Sequence, residues 1–214
     1  MDEVNAIFEP QSVVLIGSSR MREKVGMASP QLFRNVIHNI RKFFHGRMYV
    51  LDLDGKGDCN DLDELRDVPE LAVLTLPPKQ SIVQTEKCAE RGVRALVMIT
   101  GGYNDAQRQQ LLKLREKYGV RILGPNTIMG VINTVNGLNT TFDRNVMPKK
   151  GEIAVVSQSG GVGACLLDWV CFYNIGISKF AFMGDKTDLD DVDLLKYLGK
   201  DKHTKVICLS LIHI

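Results

Sequence analysis

Ser12-Val13-Val14-Leu15-Ile16-Gly17-Ser18-Ser19-Arg20 is a short β-branched run that stops at a glycine, followed by two hydroxyls and a cation. A run that is apolar at every position reads as a strand buried on both faces. Working outward, Leu32, Phe33, Val36, Ile37, Ile40, Phe43 and Phe44 recur at helical spacing from Pro30 onward. Further strands are expected at Met48–Leu51, Leu71–Leu76, Ala95–Ile99, Val120–Leu123, Ile153–Val156, Phe180–Met183 and Val206–Leu209. Helical patterns fill most of the gaps, at 79–91, 105–118, 161–173 and 190–199. Continuous apolar strands alternating with helices predict an α/β fold, a doubly wound parallel sheet covered on both faces. From Gly124 to Gly151 the rhythm breaks into an Asn-, Thr- and Gly-rich stretch without a strong period. The expected organisation is therefore a first domain over 1–128, a linker over 129–150 and a second domain over 151–214. The second has at most three strands, against about five in a doubly wound domain, so it reads as unfinished.

The chain has 214 residues, enough to bury a core without disulfides or metals. Lys+Arg 27 against Asp+Glu 25 leaves a net charge of +2, which calls for neither nucleic acid nor an anionic membrane. No apolar run approaches the ~18 residues of a membrane helix, and Met1-Asp2-Glu3 does not open a signal peptide. Cys59, Cys88, Cys165, Cys171 and Cys208 are odd in number, form no CxxC pair and sit mostly among apolar neighbours. They read as reduced, core-filling thiols of a cytoplasmic protein, Cys165 included. No metal site is expected: the acids of Asp188-Leu189-Asp190-Asp191-Val192-Asp193 lack the glycine and glutamate of a calcium loop and suit a helix N-terminus better. Trp169 and Phe172 are expected in the core.

In open parallel sheets ligands bind beyond the carboxyl ends of the strands. Two such junctions have anion chemistry. At Gly17-Ser18-Ser19-Arg20, glycine admits a close phosphate, hydroxyls donate, and Arg20 and Lys24 add positive charge. The same residues also make a plain tight turn with solvated cations. An NAD site shares this strand and turn, with Asp52 or Asp54 placed for a ribose, but Ser19 stands where the second glycine of G-x-G-x-x-G belongs. At Ser157-Gln158-Ser159-Gly160-Gly161, hydroxyls and glycines coincide with a helix start, whose free N–H groups suit an anion. An N-capped helix packed closely on its strand is the alternative there.

Taken in order, Gly17-Ser18-Ser19-Arg20 with Lys24-Val25-Gly26, Gly124-Pro125-Asn126 and Ser157-Gln158-Ser159-Gly160 resemble the NDP-forming acyl-CoA synthetases, relatives of the succinyl-CoA synthetase α subunit. Asp168-Trp169, Asn174-Ile175-Gly176, Ser178-Lys179-Phe180, Gly184-Asp185-Lys186 and Asp193-Leu194-Leu195 extend the resemblance over residues 7 to 208. It implies a Rossmann-like CoA-binding domain followed by a partial flavodoxin-like ligase domain. It further implies that Gly17, Ser18, Ser19, Arg20 and Lys24 hold CoA phosphate and that Thr100, Gly101 and Gly102 lie along the pantetheine. Asn126 then faces the reaction centre, and Ser157, Ser159, Gly160 and Gly161 receive the phosphorylated histidine. The implied chemistry turns an acid, CoA and a nucleoside triphosphate into acyl-CoA, nucleoside diphosphate and phosphate, through an acyl phosphate and a phosphohistidine. The implied partners are CoA, a small carboxylic acid or its acyl phosphate, and an ATP-grasp subunit or domain that brings the Mg-nucleotide.

The sequence departs from this family in three places. None of His38, His45, His203 or His213 stands in the context of the phosphate-carrying histidine, so the chain is expected to be inactive alone. Asp52-Leu53-Asp54 replaces an Asn-Pro-Lys type turn, and Asp54 in a lysine's place would repel CoA phosphates. The ending Ser210-Leu211-Ile212-His213-Ile214 stops in mid-strand, reads as a truncation, and is expected to leave an apolar sheet edge open to aggregation. Two further readings compete: a CoA-sensing regulatory module, like those fused to acetyltransferases, and a fragment of an NAD(P)-dependent oxidoreductase.

Overall fold

The computed structural model describes residues 4–21, 27–55 and 57–212. Lys24, Val25, Gly26, His213 and Ile214, singled out above, lie outside them. After a short helix α1 (Asn5–Phe8), the chain runs β1 (Ser12–Gly17), α2 (Pro30–Phe43), β2 (Arg47–Asp52), β3 (Leu71–Leu74), α3 (Pro78–Glu90), β4 (Ala95–Met98), α4 (Asp105–Tyr118) and β5 (Arg121–Leu123). These five strands form one parallel sheet in the order β2-β1-β3-β4-β5. The chain reverses direction between β1 and β3, so a crevice opens beyond the end of β1, at the turn Gly17–Arg20. Every residue of β1 is buried: Val13 and Leu15 pack with Phe33, Val36 and Ile40 of α2, and Val14 and Ile16 with Cys88 and Leu111 across the sheet.

Then follow β6 (Val131–Asn133), β7 (Leu138–Asn139), β8 (Lys150–Ser157), α5 (Gly160–Phe172), β9 (Ile177–Phe182), α6 (Asp191–Leu198) and β10 (Val206–Ser210). The second sheet is ordered β10-β8-β9-β6-β7; its first three strands are parallel, while β6 runs antiparallel to β9 and β7. The stretch read as a linker thus supplies two strands. They are only three and two residues long, too short for periodicity to reveal. The two sheets share one core, in which Val13, Val73 and Val97 meet Ala154, Val156 and Ala181. No helix among the described residues is long and apolar enough to cross a membrane.

Two expectations about side chains need correcting. Cys59 and Cys88 are buried, but Cys165, Cys171 and Cys208 are exposed. Trp169 and Phe172 are not core either, being 65% and 81% exposed. The reason is common to most of them: α5 is apolar nearly all round but buries only the stripe of Gly163, Leu167 and Val170 against its sheet. Tyr173 packs edge-on against both Trp169 and Phe172 on the open side. At the sheet edge, Val206 and Leu209 of β10 are also exposed.

Candidate functional site

Gly17 ends β1 where nothing larger fits, since a Cβ there would lie 2.2 Å from Phe33 Cδ2 and 2.5 Å from Thr75 Oγ1. Phe33 is placed by α2, which starts at Pro30 with Ser29 as its N-cap, the Ser29 hydroxyl accepting from the Leu32 amide. The turn that follows is pinned by the end of β2. The Ser19 amide donates to Asp52 Oδ1 at 3.0 Å, and Ser18 Oγ and the Arg20 amide donate to Asp54 Oδ2 at 2.8 and 2.5 Å. Ser19 Oγ is buried without a hydrogen-bond partner among the described residues. In kind, the two hydroxyls, the two amides and the Arg20 side chain suit a phosphate; an exposed carboxylate already holds two of them.

Beyond β4, Thr100 is fully buried and its hydroxyl donates to the Leu76 carbonyl at 2.5 Å. Gly101 leaves room for Asn126, whose Oδ1 would stand 2.6 Å from a Cβ at that position. Asn126 follows the cis Gly124–Pro125 peptide with a left-handed φ of 65°. Its amide donates to the Thr100 carbonyl at 2.9 Å, and its Nδ2 to Asp185 Oδ1 at 3.1 Å. Asp185 is held from the other side by Arg108, whose Nη1 donates to Oδ2 at 3.1 Å and to the Tyr103 carbonyl at 2.7 Å. Gly184 is needed beside them: its φ is +60°, and a Cβ would lie 2.1 Å from the Pro125 carbonyl oxygen. Burial pushes the Tyr103 hydroxyl up to about 12, against weaker pulls from Ser81 and Thr100, and it has no hydrogen-bond partner of good geometry among the described residues.

At the second junction, Ser159 caps α5, its Oγ accepting from the Val162 amide at 3.4 Å. Buried Ser157 braces the turn, donating from Oγ to the Ser159 carbonyl at 2.9 Å and accepting from the Ser159 amide at 3.2 Å. The Gly160 and Gly161 amides point out of the helix start and meet no acceptor among the described residues. Phe182 and Ile128 flank Gly160, while no atom lies within 4 Å of a Cβ built on Gly161. This turn joins the preceding cluster through the Met183 amide, which donates to the Ser157 carbonyl at 3.0 Å.

The structure thus brings together Thr100, Gly101, Asn126 and, through 183–185, Ser157 and Gly160, at the facing carboxyl ends of the two sheets. Gly17–Arg20 lies beyond the carboxyl end of β1, an inner strand of the first sheet. Asp185 and Arg108 complete the cluster and were not expected as site residues. Gly184-Asp185-Lys186 is a short turn signal, but its link to Asn126 spans 59 residues. The acids at 188–193 do structural work: Asp188 binds Arg115, Arg121 and the Ile122 amide, and Asp190 caps α6 in a capping box with Asp193. Among the described residues, no three His, Cys, Asp or Glu converge as metal ligands. His38 on α2 bonds Asn145, and His203 sits in a turn whose amide donates to Asp201.

Comparison with known proteins gives these units a place. Residues 11–133 match a family described as CoA binding domain, and residues 150–214 one described as Succinyl-CoA ligase like flavodoxin domain. The chain is 33% identical to the acetate–CoA ligase [ADP-forming] I subunit alpha of Pyrococcus furiosus, over 97% of this chain and 46% of that protein. It is also 33% identical to the acetate–CoA ligase [ADP-forming] of Methanocaldococcus jannaschii, over 98% of this chain and 30% of that protein. In three dimensions it superposes on an acetyl-coenzyme A synthetase of Ca. Korarchaeum cryptofilum, solved with phosphate and ADP. The TM-score is 0.85 at 30% identity, covering 100% of this chain and 46% of that one. The chain therefore spans between about a third and a half of the relatives it matches. It belongs to the CoA-binding domain family, its second unit matches the succinyl-CoA ligase like flavodoxin domain, and over nearly its whole length it is similar to ADP-forming acetate–CoA ligases.

Proposed function

We propose that this chain works as the CoA-binding and phosphate-handling portion of an NDP-forming acyl-CoA synthetase. The observation that supports the reading is the hydrogen-bonded series from Thr100 through Asn126 and Asp185, then 183 to Ser157, which links the end of β4 to the start of α5. Gly17, Ser18, Ser19 and Arg20 bind the phosphates of CoA. Thr100, Gly101 and Gly102 lie along the pantetheine, with Gly102 in a left-handed conformation, φ 89°, that turns the backbone toward the ligand. Bound CoA supplies the thiol that attacks an acyl phosphate. Asn126, fixed at both its amide and its side chain, faces that reaction. Ser159, Gly160 and Gly161 present preoriented N–H and hydroxyl donors to the phosphoryl group, where charge develops during transfer. The phosphate-carrying histidine comes from the ligase domain that follows these two units in the family and the Mg-nucleotide from an ATP-grasp partner, in a cytoplasmic assembly, and the acid is a small carboxylic acid.

Calorimetric titration with CoA, with NAD and ADP as controls, tests the first half. CoA alone should bind, more weakly as salt rises. Arg20→Ala should cost about 1.5–3 kcal/mol of that affinity, the value of a charge-assisted hydrogen bond. Binding of NAD in preference to CoA would assign the fold to an oxidoreductase fragment instead. CoA binding that yields no ligase activity, even when the histidine-bearing ligase domain and an ATP-grasp part are both supplied, would make it a regulatory CoA sensor.

A further inference from the structure

The first loop carries its own anion. Ser18 Oγ and the Arg20 amide, two donors that a phosphate would use, converge on a single oxygen of Asp54 at 2.8 and 2.5 Å. The third, the Ser19 amide, is taken by Asp52 Oδ1, which also accepts from the Asp54 amide at 3.0 Å. The two carboxylates are not equivalent. Asp52 is 3% exposed and holds its own turn together, so it is part of the frame. Asp54 is exposed, and both bonds to the loop fall on one oxygen. An exposed carboxylate exchanges its hydrogen bonds for water at little cost, so a stronger, multidentate anion can displace it.

We infer that Asp54 is the specificity-determining residue of this loop: its carboxylate occupies the position of a ligand phosphate, so a phosphate binds there by displacing it. The inference rests on the CoA reading for the identity of the ligand, though not for the chemistry of the loop. A phosphate entering beside a seated Asp54 meets a like charge and finds the Ser18 and Arg20 donors engaged. A di- or polyphosphate group offers several oxygens to those donors at once, whereas a single carboxylate of a small acid gains nothing over Asp54. The loop is thereby set against weak anions and tuned to bind CoA more loosely than an unblocked loop would.

The test follows the Ser19 and Arg20 amide signals in labelled full chain while inorganic pyrophosphate is added, in wild type, Asp54→Ala and Asp54→Asn. Asp54→Ala should give saturable shifts at both amides, with an affinity about tenfold above wild type. Asp54→Asn, which keeps the acceptor and removes the charge, should gain less. In parallel calorimetry, CoA should bind Asp54→Ala about tenfold more tightly than wild type. Equal or weaker pyrophosphate and CoA binding by Asp54→Ala, with an unchanged thermal midpoint, overturns the proposal and leaves the CoA reading standing if wild type binds CoA. A pyrophosphate gain with no CoA binding by any variant supports the role of Asp54 and removes the CoA reading. Should Asp54→Ala fail to fold, Asp54→Asn decides: no gain in pyrophosphate affinity overturns the proposal.

Discussion

Two turns in this molecule are built from the same residue types and end in different states. Gly17–Arg20 and Ser157–Gly161 each begin at the last residue of a parallel strand whose final four residues are buried, and each combines serines with glycine. The first has three of its donors filled by Asp52 and Asp54 at and just beyond the end of β2, and its glycine is walled in by Phe33 and Thr75. The second leaves the Gly160 and Gly161 amides open, with empty space beside Gly161. A glycine–serine turn is thus a set of donors, and the strand next to it decides whether those donors are available. At the first turn that neighbour is β2, ending in Asp52 and followed by Asp54. At the second it is β10, ending in Ser210, whose carbonyl accepts from the Gln158 amide.

The largest expected effect removes a buried charge pair from the sheet that carries the second turn. Lys179 sits on β9 opposite Ala154 of β8, 1% exposed, with Nζ 2.6 Å from Asp201 Oδ2 and 3.4 Å from Glu9 Oε1. Lys179→Met leaves Asp201 buried without its countercharge, at a cost of about 3–5 kcal/mol. Burial works to raise the Asp201 carboxyl, but hydrogen bonds from Lys179, Thr204 and the His203 amide outweigh it and hold it below the usual range. A lowered native value stabilises the fold above the unfolded value of about 3.9, and that support is lost as pH falls through the native value. The gap between wild type and variant should therefore be full at pH 7 and shrink in melts near pH 3. A gap of equal size at both would place the cost in packing rather than charge. Amide exchange should quicken at 153–157 and stay slow at 13–17, where β1 lies in the other sheet.

Next in size is Gly17→Ala. The new methyl meets the buried Phe33 ring and the Thr75 hydroxyl, and overpacking of this kind costs about 1–3 kcal/mol. Chemical denaturation reads it directly; a cost near zero would show that the ring swings aside and that the first turn is no more crowded than the second.

Much of this was legible in the sequence because burial on both faces leaves an unbroken apolar run. Val13–Ile16, Leu71–Leu74 and Ala95–Met98 announce their strands that way, and Pro30 marks a helix start. The strands β6 and β7 stayed hidden, since Val131–Asn133 and Leu138–Asn139 pair across the second sheet and offer too few residues for a pattern. Trp169 and Phe172 misled, because apolar composition says that a side chain favours burial and not whether a neighbour is there to bury it. Both turns could be found from local order. The sign of Asp54 was legible as repulsion, but its bonds to Ser18 and Arg20, across 36 and 34 residues, were not. Nor was the Arg108–Asp185 pair, 77 residues apart.

The smallest expected effect is the most discriminating. Gly161 is the second residue of α5, its φ is ordinary, and a Cβ there touches nothing within 4 Å. Alanine forms helix better than glycine, by up to ~1 kcal/mol in a helix interior and less at an end. On folding grounds alone Gly161→Ala should therefore be neutral or stabilise by about 0.5 kcal/mol. Glycine at such a position is explained by something outside the chain that must approach the backbone. Thermal melts of Gly161→Ala should show an unchanged or slightly raised midpoint, while phosphoryl transfer falls in the enzyme completed by the histidine-bearing ligase domain and the ATP-grasp partner. A lowered midpoint would make Gly161 a folding residue like Gly17, and the two turns would then differ only in their carboxylates.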